Sequence, residues 1–97
     1  MRVHVTRNAK RQVDEIWLYL AELSQNLESA DSVTCELDER IQGLARNPLI
    51  GRSREDLGEG FRSLQVGLHV VVYKVGRKTV SIIGVFRHTQ NLPTLFQ

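Results

Sequence analysis

The residues in this sequence that could do chemistry are few, and they gather late in the chain. Arg62, Tyr73, Lys74, Arg87 and His88 sit on strand-like runs or just after them. Together they hold what cleavage of an RNA phosphodiester requires: a base for the 2′-hydroxyl, cations for the phosphorane charge and an acid for the leaving oxygen. They serve that chemistry only if the fold brings them to one sheet face. A plainer reading is preferred, with Arg62 and Lys74 as strand residues facing solvent and Tyr73 as a core phenol whose hydroxyl reaches the rim. Other chemistries lack their parts. The histidines His4, His69 and His88 are far apart, and no serine or cysteine stands in a nucleophile motif. Cys35 has no histidine or second cysteine nearby and reads as an inert thiol, and no metal, phosphate-loop or nucleotide-binding spacing occurs. No metal or cofactor is expected.

The chain that must position these groups has 97 residues, 41% of them hydrophobic and 25% charged, which is one ordinary globular domain over residues 1–97. A core this small is marginal, so a partner that covers apolar surface would add to its stability. A single cysteine excludes an internal disulfide framework, and no stretch is apolar enough for a signal peptide or membrane span, so the cytoplasm is the expected compartment. Charge is unevenly placed. Residues 7–46 carry five basic against eight acidic side chains, whereas residues 47–97 carry seven against three. An anionic partner is therefore sought on the second half, although a solvated basic face explains the same numbers.

The periodicity of apolar residues changes once, across a basic, glycine-rich stretch at residues 47–67. Before it, Val3 and Val5 alternate with polar residues as in a short strand, and Thr6 or Asn8 can cap a helix. Ala9, Val13, Ile16, Trp17, Leu20 and Leu23 then recur at helical spacing to about Ser24. Asn26 is a plausible cap for a second helix carrying Ala30, Val33, Leu37, Ile41, Leu44 and Ala45, and Pro48 ends it. So short a link makes the two helices an antiparallel hairpin. After the seam come three strand-like runs at residues 61–66, 69–75 and 79–86, the first pair joined by a Gly67-Leu68 turn with glycine first. Apolarity on both faces of the last two marks them as central strands. Leu92, Leu95 and Phe96 in the tail are expected to fold back onto the domain. The fold class is α+β, a helical hairpin packed on a mainly antiparallel sheet.

This order of elements, and the residues within it, resemble the RelE/ParE toxin superfamily and its ParE branch in particular. The matching residues are Ala9, Asp14-Glu15-Ile16-Trp17-Leu18-Tyr19-Leu20, Ala30, Asn47-Pro48-Leu49-Ile50-Gly51-Arg52, Gly60-Phe61-Arg62-Ser63-Leu64, His69-Val70-Val71-Val72-Tyr73-Lys74-Val75 and Ile82-Ile83-Gly84-Val85-Phe86. The Asn-Pro-x-x-Gly-Arg box followed by Gly-aromatic-Arg carries most of the specificity. The resemblance implies a toxin of a type II toxin–antitoxin pair of the plasmid-stabilising kind, which inhibits DNA gyrase without enzymatic activity of its own. It further implies an antitoxin whose C-terminal segment wraps the hairpin and sheet, with no membrane and no sequence-specific nucleic acid as partner. Under it, Arg52, Arg62, Lys74, Arg87 and His88 are candidates for the target surface, and Val13, Trp17, Leu20, Leu37 and Ile41 for the antitoxin surface. A ribosome-dependent messenger-RNA endonuclease of the RelE type and a non-toxic binding module with the toxin fold are the alternatives. After the last strand many relatives carry a basic stretch ending in Arg-x-Asp or Arg-Arg-Asp; here Thr89 or Gln90 stands where the arginine is expected and Asn91 where the aspartate is, a change that argues further against RNA cleavage.

Overall fold

The computed structural model describes residues 1–24 and 27–88, so the expectations for Asn26 and for the tail beyond His88 lie outside the described residues. The chain runs β1 (Arg2–Val5), α1 (Arg7–Ser24), α2 (Leu27–Gly43), β2 (Arg52–Ser53), β3 (Phe61–Val66), β4 (His69–Val75) and β5 (Thr79–Arg87). The sheet order is β1-β5-β4-β3-β2. β1 lies parallel to β5 and every other pair is antiparallel, which gives the expected α+β architecture with one strand more than the sequence suggested. That strand, β2, has two residues, too few for any alternation to register.

Thr6 starts α1: its hydroxyl accepts the backbone N–H of Ala9 at 3.3 Å, which satisfies one orphan donor of the first turn. The hydroxyl also donates to the Ile82 carbonyl on β5, 2.6 Å away, so the cap joins helix to sheet. Asn8 takes a different role from the cap proposed for it and donates to the Ile83 carbonyl at 3.3 Å. Gln12, one turn on, accepts the Val85 N–H at 2.8 Å. These three contacts fall where β5 departs from regular pairing. Val72 pairs with Gly84 and Tyr73 with Ile82, which leaves Ile83 as an extra residue on β5. A bulge frees backbone groups from the ladder, and the side chains of the first turns of α1 bind them.

At its other end α2 finishes at Gly43, earlier than Pro48 requires, and the next residues wind tighter. Leu44, Ala45 and Arg46 each donate to the carbonyl three residues back, a 3₁₀-type finish that releases the chain before the proline. Between helices and sheet, Ala9, Leu37, Ile41 and Leu44 meet Leu64, Val66, Val71, Tyr73, Val80, Ile82 and Val85 in one core, with Val3, Val5, Val13, Ile16 and Val33 packed around it. Gly67 opens the β3–β4 turn at φ 60°, a conformation that suits glycine, as its position in the link predicts.

Candidate functional site

The family-like box at residues 47–52 folds into a latch on the sheet. Tyr73 is fully buried among the valines of β4, and a phenol there must find partners for its hydroxyl. It accepts the Gly51 N–H at 2.9 Å and donates to the Pro48 carbonyl at 2.8 Å. Gly51 is needed for closeness rather than for an unusual φ: a Cβ there would lie 2.5 Å from the Tyr73 hydroxyl and 2.7 Å from the Ser63 carbonyl. Arg62 adds a third tie, its Nη2 donating to the Leu49 carbonyl at 3.3 Å. Arg52 and Ser53 then pair with Ser63 and Arg62 as β2. The loop beyond is closed by Arg54, whose guanidinium grips Asp56 through two bonds of 2.9 and 2.8 Å. Those bonds hold the Asp56 carboxyl below its ordinary pKa.

The outcome at the turn is unusual for so well-anchored a segment. Leu49 and Ile50 stand 63% and 54% exposed, adjacent to each other.

A second surface lies at the far end of the sheet. The apolar stripe of α1 outruns the core: Ala9 is buried, Val13 and Ile16 are partly covered, and Leu23 is 68% exposed. Between this part of α1 and the end of β5 runs a groove of about 780 Å³. Ile16, Tyr19, Leu20, Leu23, Leu68 and Phe86 supply its apolar lining, with Gln12, Glu15, His69, Arg87 and His88 among them. Arg87 is aligned with Tyr19, its guanidinium carbon 4.9 Å from the ring centre, a cation–π contact. His88 clamps the β3–β4 turn, since its backbone N–H donates to the Leu68 carbonyl at 3.0 Å and its Nδ1 lies at the same distance from that oxygen. His69 faces Arg87 across the β4–β5 ladder. Burial first, and then the charges of Arg87 and His88, push its pKa below the ordinary histidine value.

The structure separates the groups proposed for the target surface. Arg52 is exposed on β2, Arg62 is drawn under the Leu49 carbonyl, and Lys74 is exposed with its Nζ 5.6 Å from the Phe61 ring centre. Arg87 and His88 stand at the groove, by the opposite end of β4. His69 and Lys74 are five strand residues apart, roughly 17 Å, so the five residues form no single cluster. Tyr73 has its hydroxyl committed on both sides to the latch.

Of the residues proposed for the antitoxin surface, Leu20 lines the groove, and Trp17 is half-buried and outside that lining. The Trp17 indole N–H donates to Asp31 Oδ1 at 2.7 Å and ties the two helices together. Val13 is packed against the core. Leu37 and Ile41 require correction. They are 0% and 3% exposed, within the core, and offer a partner almost no surface. Helical spacing identified the apolar stripe of α2 without showing that the sheet covers it, and on α1 the uncovered residues Tyr19 and Leu23 were not among the antitoxin-surface candidates. A tyrosine in a valine-rich strand was the available sign of the latch.

Two helices on one side of a five-stranded mixed sheet, with an anchored turn at one end and an apolar groove at the other, define the class of domain. Residues 3–92 match the family described as ParE toxin of type II toxin-antitoxin system, parDE. The chain belongs to this family of toxins. Toxin ParE1 of Caulobacter vibrioides is 37% identical over 87 residues, covering 90% of this chain and 88% of that protein. A Toxin ParE1 of Mycobacterium tuberculosis is 28% identical over 85 residues, 87% of this chain and 86% of the relative. The solved structure titled "Chromosomal ParDE TA system from P. aeruginosa" superimposes with a TM-score of 0.77 at 22% identity, over 90% of this chain and 95% of that one, and shares the fold.

Proposed function

We propose that the chain acts in the cytoplasm as a non-enzymatic toxin that binds DNA gyrase and blocks replication, and that its antitoxin neutralises it by laying a C-terminal segment in the groove between α1 and β5. Family membership supports the toxin role and the existence of an antitoxin. The fate of Tyr73 carries the non-enzymatic reading. A phenol buried and hydrogen-bonded to two backbone groups is not free to exchange a proton with RNA. Arg87 and His88, two of the groups that would share such chemistry, sit at the opposite end of β4. The groove suits an antitoxin segment that alternates apolar and acidic side chains. Its lining is mainly apolar, and Arg87, His69 and His88 supply positive or protonatable groups against one carboxylate, Glu15.

Induced expression in a bacterium tests the proposal. Gyrase inhibition predicts broken chromosomal or plasmid DNA and an SOS response while transcripts stay whole. Cleavage of messenger RNA with gyrase unaffected overturns it.

A further inference from the structure

The turn at Leu49 and Ile50 has a property that the chain's own folding leaves unexplained. Two large apolar side chains are more than half exposed, on backbone held by side-chain hydrogen bonds from the sheet. The Pro48 carbonyl accepts the Tyr73 hydroxyl, the Gly51 N–H donates to that hydroxyl's oxygen, and the Leu49 carbonyl accepts from Arg62. Ile50 itself closes the turn by donating to the Asn47 carbonyl at 3.3 Å. Directly before the latch, Leu44 is sunk completely in the core. Cations flank the turn: Arg46 and Arg52 are both exposed, and the ion pairs among the described residues, Arg11–Glu15 and Arg54–Asp56, involve neither.

We propose that Leu49 and Ile50 form a preorganised apolar knob through which the toxin engages its target protein, and that the receiving surface is an apolar pocket flanked by carboxylates. The inference rests on the reading of the chain as a toxin acting on a protein and adds the surface that makes the contact. Rigidity is what suits this turn to docking. Apolar anchors dominate a protein interface when they are held in place beforehand, because little side-chain and loop entropy remains to be lost on docking. Arg46 and Arg52 then select a partner by the sign of its rim and speed the encounter. A polyanion such as DNA would use the arginines and leave the knob idle.

The test compares Leu49→Ser, Ile50→Ser, the pair together and Arg46→Glu/Arg52→Glu with the parent, all as full chains. Growth arrest on induction, inhibition of purified gyrase, antitoxin affinity and melting temperature are measured for each. The double serine variant should lose growth arrest and weaken gyrase inhibition by about tenfold or more, the effect of losing one strong anchor. Its melting temperature and antitoxin affinity should match the parent. The glutamate pair should weaken inhibition as well, with a reduced dependence on salt. Full growth arrest by the double serine variant overturns the proposal. So does loss of antitoxin affinity in its place, which assigns the knob to the antitoxin, or loss of inhibition in the glutamate pair alone, which assigns the surface to a polyanion. A parent chain that arrests growth without touching gyrase overturns the gyrase reading only; loss of arrest by the serine variant still supports the knob.

Discussion

Replacing Gly51 by alanine is the most informative single change in this fold, because it adds one methyl group at a point of closest approach. The new Cβ would lie 2.5 Å from the Tyr73 hydroxyl oxygen and 2.7 Å from the Ser63 carbonyl oxygen, both well inside contact distance. Neither neighbour yields easily. The carbonyl belongs to β3, paired on both sides, and the hydroxyl is held by two hydrogen bonds in the core. Overpacking of this kind costs about 1–3 kcal/mol. If the hydroxyl is displaced, the buried Gly51 N–H loses its partner, at roughly 1–3 kcal/mol more. Tyr73→Phe isolates the second part: the same N–H is orphaned with no clash, while the half-buried Pro48 carbonyl can turn to water, so about 2 kcal/mol is expected. At about 4–8 °C per kcal/mol for a domain of this size, Tyr73→Phe should melt roughly 10 °C below the parent, with Gly51→Ala lower still.

The double variant supplies the decisive comparison. With the hydroxyl already gone, the alanine methyl still meets the Ser63 carbonyl and, at 2.9 Å, the ring carbon Cε1, but it loses its closest clash and has no hydrogen bond left to break. Its cost in the Tyr73→Phe background should therefore fall by about 1–2 kcal/mol relative to its cost in the parent. Chemical denaturation of all four proteins measures that coupling. Costs that add to within about 0.5 kcal/mol would refute the latch, as would a Gly51→Ala protein as stable as the parent.

Two further outcomes follow from the core and the groove. Leu37→Ala, at a fully buried position, should cost roughly 2–5 kcal/mol in a denaturation experiment. Leu23→Ala, on the exposed part of the α1 stripe, should leave stability within about 0.5 kcal/mol and instead weaken antitoxin binding measured by calorimetry. His69 titrates below the ordinary histidine value of 6.5, chiefly because it is partly buried and secondly because Arg87 and His88 are near. The unfolded chain then binds the proton more readily, so the stability that neutral His69 contributes is complete above about pH 6.5 and is lost as pH falls through its folded pKa. Melting of the parent should drop on acidification more steeply than that of His69→Gln, and parallel profiles would exclude the effect.

How much of this was legible beforehand depended on how long each signal ran. The helices were, because six apolar residues at one period leave little choice of structure, and the three long strands were, because short β-branched and aromatic runs are bounded by turn residues. β2 was not, since Arg52 and Ser53 become a strand only by pairing with Ser63 and Arg62. The extra residue Ile83 was equally hidden: the run of residues 79–86 reads as one regular strand, and its irregularity is visible only beside Asn8 and Gln12 on the helix. Leu37 and Leu23 expose a different limit. Both lie on apolar helix stripes, and periodicity says which way a stripe points without saying where the opposing sheet ends. One became core and the other surface.

The box at residues 47–52 joins these two kinds of information. It was legible as a signature while its cause was not, because the cause is a tyrosine more than twenty positions away in sequence. Once Tyr73 is placed, three of the six residues of the box have a physical reason. Pro48 presents a carbonyl and ends the helix, Gly51 leaves room for the hydroxyl, and Arg52 starts β2. Of the other three, Asn47 is a polar residue at an exposed position, and Leu49 and Ile50 are the apolar pair left over. The latch uses the Leu49 carbonyl and the Ile50 N–H, backbone groups that almost any residue could supply, and it makes no use of their side chains. Polar residues would serve the fold equally well there and hold water better. The apolarity of this turn therefore has its reason outside the chain, in whatever surface the toxin must meet.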